Sequence, residues 1–133
     1  MGMVLLVTSD VIATLVAEAA RAAPEECCGL LLGREGRIEG AIPAANVAAD
    51  RQRHFEIDPA ALFAAHRAAR AGGPELIGYF HSHPSGHPVP SATDCEHASG
   101  DDRAWAIVAE GTVAFWRDGA EGFEPLSHCV VGG

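Results

Sequence analysis

The chain has 133 residues, the length of one ordinary globular domain and too short for two independent hydrophobic cores. Apolar residues make up 48% and charged residues 20%, a balance typical of a folded protein and not of a disordered one. The net charge of −9, with 9 scattered basic residues that are all arginine, argues against nucleic acid or an anionic membrane surface as a partner.

A strand and a helix are the first elements predicted along the chain. Met3 to Val7 is an apolar run of strand length, and Ser9 or Asp10 can cap the helix that follows. We expect this helix to run to about Ala23, because Pro24 ends it. Its apolar face is formed by Val11, Leu15, Ala19 and Ala22.

A β-hairpin is predicted next. Cys27 to Gly33 is an apolar run of strand length, and a turn over 34–37 leads into a second strand near Arg37 to Ile42. Residues 44–53 have the composition of a loop. His54 to Ile57 alternates as a short strand would.

The middle of the chain predicts a helix followed by a buried strand. Asp58 can cap a helix whose first residue is Pro59, since proline there loses no hydrogen bond that it would have made. The helix should run to about Ala71, before a Gly-Gly-Pro sequence. Glu75 to His81 then reads as a strand buried on both faces.

The last third of the chain predicts a short helix and three more strands. Ser91 to about Ser99 forms the helix, and Trp105 to Ala109, Val113 to Arg117 and Gly122 to Leu126 form the strands. The diglycine end, residues 130–133, is expected to be frayed. Interleaved strands and helices indicate the α/β class, an α/β sandwich in one domain over residues 1–133.

Export signals and disulfide patterns are both missing from the sequence. The opening apolar run has no preceding cation, and no stretch approaches the roughly 20 apolar residues of a membrane helix, so we expect a cytoplasmic protein. Neighbouring Cys27 and Cys28 could pair only through a strained ring, which favours reduced thiols. We expect both to be inert core residues, since nothing in the sequence favours a thiolate there.

The segment after the buried strand carries the residues of a metal site. His81 and His83, two positions apart at the end of an extended segment, point to the same side and can share one metal ion. Asp94 lies in the first turn of the helix that Ser91 caps, where its carboxylate can supply a third ligand. Two imidazoles and one carboxylate suit Zn²⁺ and leave a fourth position for water, which is typical of catalytic sites.

Hydrolysis at such a site needs a group that takes the proton of the water. Glu25 and Glu26 lie directly before the strand predicted at Cys27 to Gly33, which we expect in the same sheet as the strand that ends at His81. One of the two carboxylates could therefore face the metal.

Three separated segments together resemble the JAMM metalloproteases, the catalytic members of the MPN domain superfamily. They are Pro24-Glu25-Glu26-x-x-Gly29-Leu-Leu-Leu-Gly33, His81-x-His83-Pro84 and Pro90-Ser91-x-x-Asp94. The resemblance implies a cytidine-deaminase-like MPN fold, in which helices flank a curved mixed β-sheet. It implies zinc ligation by His81, His83 and Asp94, a water-binding carboxylate at Glu26, and an oxyanion-stabilising hydroxyl at Ser91. By the same resemblance, the substrate is the C-terminal junction of a ubiquitin-like or sulfur-carrier protein.

Several residues near these motifs have ordinary alternatives. Glu25 is expected to be a solvated neighbour, and His87 a solvated loop histidine that could also contact substrate. His97, three positions after Asp94, could orient that carboxylate or lie exposed. Ser91 can be a helix cap and an oxyanion donor at the same time.

Three other functions are compatible with parts of the sequence. An MPN scaffold that only binds partners is one, although the intact set of Glu, His, His, Asp and Ser argues against it. A nucleobase deaminase would need a His-x-Glu motif together with a Pro-Cys-x-x-Cys motif, and the sequence contains no Pro-Cys-x-x-Cys. Relatives of the DNA-repair-associated RadC proteins share a His-x-His-Pro-Ser-Gly run, but the acidic charge fits them less well.

Overall fold

Strands and helices alternate along the chain, as the sequence predicts. A computed structural model describes residues 4–133, so Met3 of the predicted first strand lies outside the described residues. The helices are α1 (Ser9–Ala22), α2 (Pro59–Arg70) and α3 (Ala92–His97). The strands are β1 (Leu5–Thr8), β2 (Cys28–Arg34), β3 (Arg37–Ala44), β4 (Glu75–Ser82), β5 (Ala104–Ala109), β6 (Thr112–Gly119), β7 (Gly122–Leu126) and β8 (His128–Val131).

The strands form one mixed sheet in the order β7-β6-β5-β4-β2-β3-β1-β8. Strand β1 runs parallel to both β3 and β8, and β4 runs parallel to β5. The other neighbouring strands are antiparallel. The prediction of an α/β fold with a mixed sheet flanked by helices is confirmed.

Each face of the sheet has its own apolar cluster. Helix α1 buries Val11 and Leu15 against one face, where they pack with Val7, Ile38 and Phe80. Each of these fully buried side chains contributes about 1.5–3 kcal/mol by leaving water. Helix α2 covers the opposite face through a second cluster, whose buried members are Cys28, Leu30, Ile57 and Leu76.

Gly29 allows the central strands to approach closely. A Cβ atom at this position would lie 2.2 Å from the Ile42 backbone oxygen and 2.4 Å from the Phe80 ring. Any side chain would therefore displace β3 or the core. Glycine is required here by packing, which fits its place in the Glu-x-x-Gly segment.

Two local predictions need correction. The cap of α1 is Thr8, whose hydroxyl accepts a hydrogen bond from the Val11 amide, and neither Ser9 nor Asp10 takes that role. Residues 54–57 do not form a strand, because only Ile57 makes a bridge, to Asn46. Strand-like alternation in this segment instead reflects side chains that alternate between solvent and the cluster under α2.

The diglycine end is ordered, so the prediction of a frayed end is wrong. Strand β8 pairs in parallel with β1 along its whole length. The Gly133 carbonyl oxygen accepts hydrogen bonds from the Asp10 amide, at 2.9 Å, and from the Ser9 hydroxyl, at 3.3 Å. Long-range pairing of this kind leaves no local signal in four residues.

None of the helices in the described part of the chain combines the length and the apolar character that crossing a membrane requires.

Candidate metal centre

The two histidines come from the C-terminal end of β4. His81 belongs to the strand and His83 follows directly after it. The spacing of two in an extended backbone turns both rings to the same side. Their Nε2 atoms lie 3.0 Å apart. The predicted convergence of the two imidazoles is therefore present.

Asp94 completes this group from the first turn of α3. Ser91 caps that helix, with its hydroxyl accepting from the Asp94 amide at 3.0 Å and its own amide donating to Asp94 Oδ2 at 3.0 Å. This capping box fixes the carboxylate. Asp94 Oδ2 lies 3.1 Å from the Nε2 atoms of both His81 and His83.

The three side chains can hold a metal ion. Zinc–nitrogen and zinc–oxygen bonds of about 2.0–2.2 Å at tetrahedral angles put neighbouring ligand atoms about 3.3 Å apart. The spacings here are 3.0 to 3.1 Å, close to that value. Lone pairs of two neutral imidazoles and a carboxylate directed at one point repel each other unless a proton or a cation lies between them.

Burial and mutual contact set the ionisation of the group. His81 is fully buried, which lowers its pKa and favours the neutral ring that can bind a metal. Burial alone would raise the pKa of Asp94, but hydrogen bonds from His81 and His83 lower it well below the ordinary value. For His83, burial lowers the pKa, but the hydrogen bonds with Asp94 and with the His87 carbonyl oxygen, together with the charges of Asp94 and Glu26, outweigh burial and raise it.

Neighbouring groups fix the orientation of both rings. His83 Nδ1 lies 2.8 Å from the His87 carbonyl oxygen, so Nδ1 carries a proton, and loss of the proton from Nε2 would free the Nε2 lone pair for a metal. The ring of His81 stacks on Phe55, with centroids 4.2 Å apart, and meets the edge of Trp105 at 5.6 Å. His81 Nδ1 is buried without a hydrogen-bond partner among the described residues, so aromatic packing, and no hydrogen bond, surrounds this side of the ring.

Glu26 lies beside the group on the segment that leads into β2. It is 7% exposed, and burial raises its pKa to about 7. The charge of His83 lowers this pKa and that of Asp94 raises it. A carboxyl with a pKa near neutrality suits a group that accepts and returns a proton.

Ser91 has a hydroxyl proton to donate. Its oxygen accepts from the Asp94 amide, which leaves the O–H free to bind an oxygen of a substrate. The residue is exposed, unlike Asp94. The capping role that the sequence predicted is confirmed, and it is compatible with the second role.

Other residues singled out in the sequence lie outside this group. Glu25 pairs with Arg51 at the surface, as a solvated neighbour would. His87 is exposed and pairs with Glu110 at 2.7 Å. His97 is exposed, and none of the described hydrogen bonds joins it to Asp94. Burial raises the pKa of Cys28 to about 12, which agrees with an inert core thiol.

Sequence patterns missed two residues, one that contacts His81 and one that contacts Glu26. Phe55 lies in the segment 54–57, whose alternation indicated a strand and gave no sign of stacking on a histidine. Asn46 lies in the predicted loop over 44–53 and donates to the carbonyl oxygen of Glu26 at 3.0 Å. Only a long-range contact marks either residue, and a single sequence does not show such contacts.

Three known proteins with similar sequences are named as enzymes. The chain is 41% identical over 110 residues to a desampylase of Haloferax volcanii, covering 80% of this chain and 79% of the relative. It is 34% identical to a probable TtuB-protein conjugate cleaving protease of Thermus thermophilus, over 92% of this chain and 76% of the relative. It is 33% identical to a CysO-cysteine peptidase of Mycobacterium tuberculosis, over 80% of this chain and 73% of the relative.

Solved structures share the fold of this chain. The solution structure of a protein from Desulfitobacterium hafniense matches with a TM-score of 0.85 and 25% identity, over 97% of this chain and 94% of that one. A JAB1/MPN domain protein from Archaeoglobus fulgidus shares the fold, with a TM-score of 0.64 and 19% identity over 96% of this chain and 100% of that one. A sequence model of the prokaryotic homologs of the JAB domain matches residues 8–119. The chain therefore belongs to the prokaryotic JAB-domain family.

Proposed function

We propose that this protein is a zinc-dependent peptidase that cleaves the bond after the C-terminus of a ubiquitin-like or sulfur-carrier protein. His81, His83 and Asp94 bind the ion, Glu26 transfers the proton, and Ser91 binds the carbonyl oxygen of the substrate. The observation that carries the proposal is the convergence of His81 Nε2, His83 Nε2 and Asp94 Oδ2 within about one hydrogen-bond distance of each other.

Zinc fits this donor set better than the hard cations do. Two imidazole nitrogens and one carboxylate oxygen are ligands that suit zinc, whereas Mg²⁺ and Ca²⁺ prefer sites made of oxygen atoms. His81, His83 and Asp94 would hold the ion, which would supply Lewis acidity and lower the pKa of a water molecule to about 7.

The chain's own residues then handle the proton and the charge. The Glu26 carboxylate accepts a proton from the attacking water and gives it to the leaving amine, a transfer that its raised pKa favours. The Ser91 hydroxyl donates to the substrate oxygen as negative charge develops there. Asp94 keeps its position through the capping box that Ser91 closes.

The substrate class comes from the relatives. Their names describe removal of groups from carrier proteins: a desampylase, a protease of TtuB conjugates and a peptidase of CysO-cysteine. The same active group can serve a peptide bond, as in CysO-cysteine, or an isopeptide bond to a lysine. Both bonds join a carrier's terminal carboxyl to an amine.

A paired substitution tests the assignment. Glu26→Gln removes the proton-accepting group, so it should lower turnover of CysO-cysteine or of a TtuB–protein conjugate by a factor on the order of 10² to 10⁴. The amount of bound zinc, measured by mass spectrometry of the metal, should stay unchanged. Glu25→Gln changes the neighbouring carboxylate and should leave both unchanged. Full turnover in the Glu26→Gln protein would contradict the proposed mechanism.

Metal removal tests the role of the ion. Protein treated with a chelator should lose turnover, and one equivalent of zinc should restore it. Protein that binds no zinc and hydrolyses neither substrate would instead support a scaffold that only binds partners.

A further inference from the structure

The segment between β3 and α2, residues 45–58, closes over the peptide backbone of Glu26. Glu26 lies before the first residue of β2, so its own peptide groups come before the ladder that joins β2 to β3 and β4. Its amide donates to the Arg51 carbonyl oxygen at 2.7 Å. Its carbonyl oxygen accepts from Asn46 Nδ2 at 3.0 Å. The N–H and the carbonyl oxygen of Glu26 are therefore both bound by this one segment.

Asn46 uses both ends of its side-chain amide. Besides Glu26, Nδ2 donates to the His54 carbonyl oxygen at 3.0 Å. The Oδ1 atom accepts from the amides of Ala48 and Glu56, each at 3.0 Å. The two hydrogen bonds that Nδ2 donates and the two that Oδ1 accepts use the full hydrogen-bonding capacity of the amide group.

The four hydrogen bonds connect both arms of the segment to Glu26. Ala48 lies in the first half of the segment, which leaves β3, while His54 and Glu56 lie in the second half, which leads to α2. Backbone bonds from Val47 to Glu56, at 2.9 Å, and from Asp58 to Ala45, at 3.2 Å, close the segment at its base. Asn46 is the one side chain among the described hydrogen bonds that joins this closed segment to the backbone of Glu26.

We propose that Asn46 is a positioning residue that holds the Glu26 backbone, and so sets where the Glu26 carboxylate stands relative to His83 and Asp94. The inference rests on the proposed function of Glu26 as the proton-transferring group. Proton transfer needs a heavy-atom separation of about 2.6–3.2 Å, and a displacement of 1 Å can lower a rate about a hundredfold. Strand β4 holds the neighbouring Cys27, whose amide donates to Ser82 Oγ at 2.8 Å and whose carbonyl oxygen accepts from the Ser82 amide at 3.2 Å. Asn46 adds the hydrogen bond to the carbonyl oxygen of Glu26 itself.

Asn46→Asp is the most informative substitution. It keeps the shape and the Oδ1 acceptor for Ala48 and Glu56, but it replaces the donor to Glu26 and His54 with an oxygen that repels both carbonyl groups. We expect kcat for CysO-cysteine to fall about ten- to a hundredfold while KM and the zinc content stay within a factor of about two. By nuclear magnetic resonance, the Glu26 amide should exchange with solvent at least about tenfold faster, while the Leu31 amide inside β2 stays protected.

Asp58→Ala is the matched control. Asp58 caps α2 by accepting from the Ala60 amide at 3.0 Å, at the far end of the same segment and away from Glu26. Its loss should destabilise the fold to an extent comparable with Asn46→Asp. We expect kcat and the exchange of the Glu26 amide to remain at the wild-type level.

The outcomes separate this inference from the function on which it rests. Asn46→Asp protein with wild-type kcat, or with a reduced kcat that Asp58→Ala reproduces, would overturn the positioning role. Unchanged exchange of the Glu26 amide in Asn46→Asp would overturn it as well. Retained turnover in Glu26→Gln would refute the proposed function instead, and the amide exchange would still report whether Asn46 anchors Glu26.

Discussion

The ring of Phe55 lies almost parallel to the imidazole of His81, with an interplanar angle of 16° and centroids 4.2 Å apart. His81 Nδ1 has no hydrogen-bond partner among the described residues, so this stacking replaces the polar contact that usually orients a metal-binding histidine. We expect Phe55→Leu to weaken zinc binding about two- to tenfold, since an aromatic pair contributes about 0.5–1.5 kcal/mol. Competition against a chelating dye measures the affinity.

Phe63→Leu is the control for that substitution. Phe63 is 62% exposed on α2, so the same change there should leave zinc affinity unaltered. Equal zinc affinities in the two variants would show that stacking on His81 plays no part in metal binding.

Glu26 should make the metal-free protein less stable at high pH. Burial raises the pKa of Glu26 from 4.5 to about 7, so the folded state binds this proton more tightly than the unfolded state does. The proton is bound in both states below pH 4.5, and above about pH 7 the folded state carries a buried charge. The stability associated with the protonated carboxyl is therefore lost as the pH rises between these two values.

Glu26→Gln removes this pH dependence. With chelator present, we expect the variant to match the wild type near pH 4 and to exceed its free energy of unfolding by on the order of 3 kcal/mol above pH 8. Urea unfolding across this pH range measures the difference. A difference between the two proteins that does not change with pH would contradict the raised pKa.

Patterns within short segments predicted much of this protein. The His-x-His spacing at the end of β4 fixed the side on which both rings lie, because side chains alternate along any strand. Asp58-Pro59 marked the start of α2 through a local cap. Ser91 predicted the start of α3 in the same way, and with it the place of Asp94 in the first turn. Each of these features depends on neighbours in sequence.

Long-range contacts account for what the sequence did not predict. Strand β8 forms because residues 128–131 pair with β1, more than a hundred positions away. The short segment by itself gave no prediction of a strand. Thr8 caps α1 although Ser9 and Asp10 are equally suitable, since the end of β1 decides where the helix begins. Asn46 looked like an ordinary loop residue, and only its bond to Glu26 reveals its position beside the site.

Asp118 should be essential for the segment that joins α3 to β5. This buried carboxylate accepts hydrogen bonds from the amides of Ser99, at 2.9 Å, and Gly100, at 3.1 Å. Asp118→Asn turns one accepting oxygen into a donor that faces an amide, so we expect a loss of about 1–3 kcal/mol in the free energy of unfolding. Urea unfolding measures it, and Glu121→Gln in the exposed β6–β7 turn is the control. Similar stabilities for the two variants would show that the Asp118 carboxylate contributes little to this segment.

The two roles of Ser91 can be separated by three substitutions. Ser91→Ala loses both the cap and the hydroxyl. The free energy of unfolding should therefore fall by about 1 kcal/mol, and turnover should fall by a factor on the order of 10². Ser91→Gly loses the hydroxyl, yet glycine at a cap costs only a few tenths of a kcal/mol, so turnover should fall as far with nearly full stability. Ser91→Thr keeps both the acceptor and the donor, and we expect it to retain most activity.

Turnover and unfolding of these variants decide between the roles. The Ser91 hydroxyl accepts from the Asp94 amide, so removing it could act on catalysis through the cap or through the substrate oxygen. If the cap alone mattered, turnover would follow stability, and Ser91→Gly would stay close to wild type. If the hydroxyl stabilises the charge that develops on the substrate oxygen, Ser91→Gly will have nearly wild-type stability but low turnover, because glycine has no hydroxyl to donate a hydrogen bond to that oxygen.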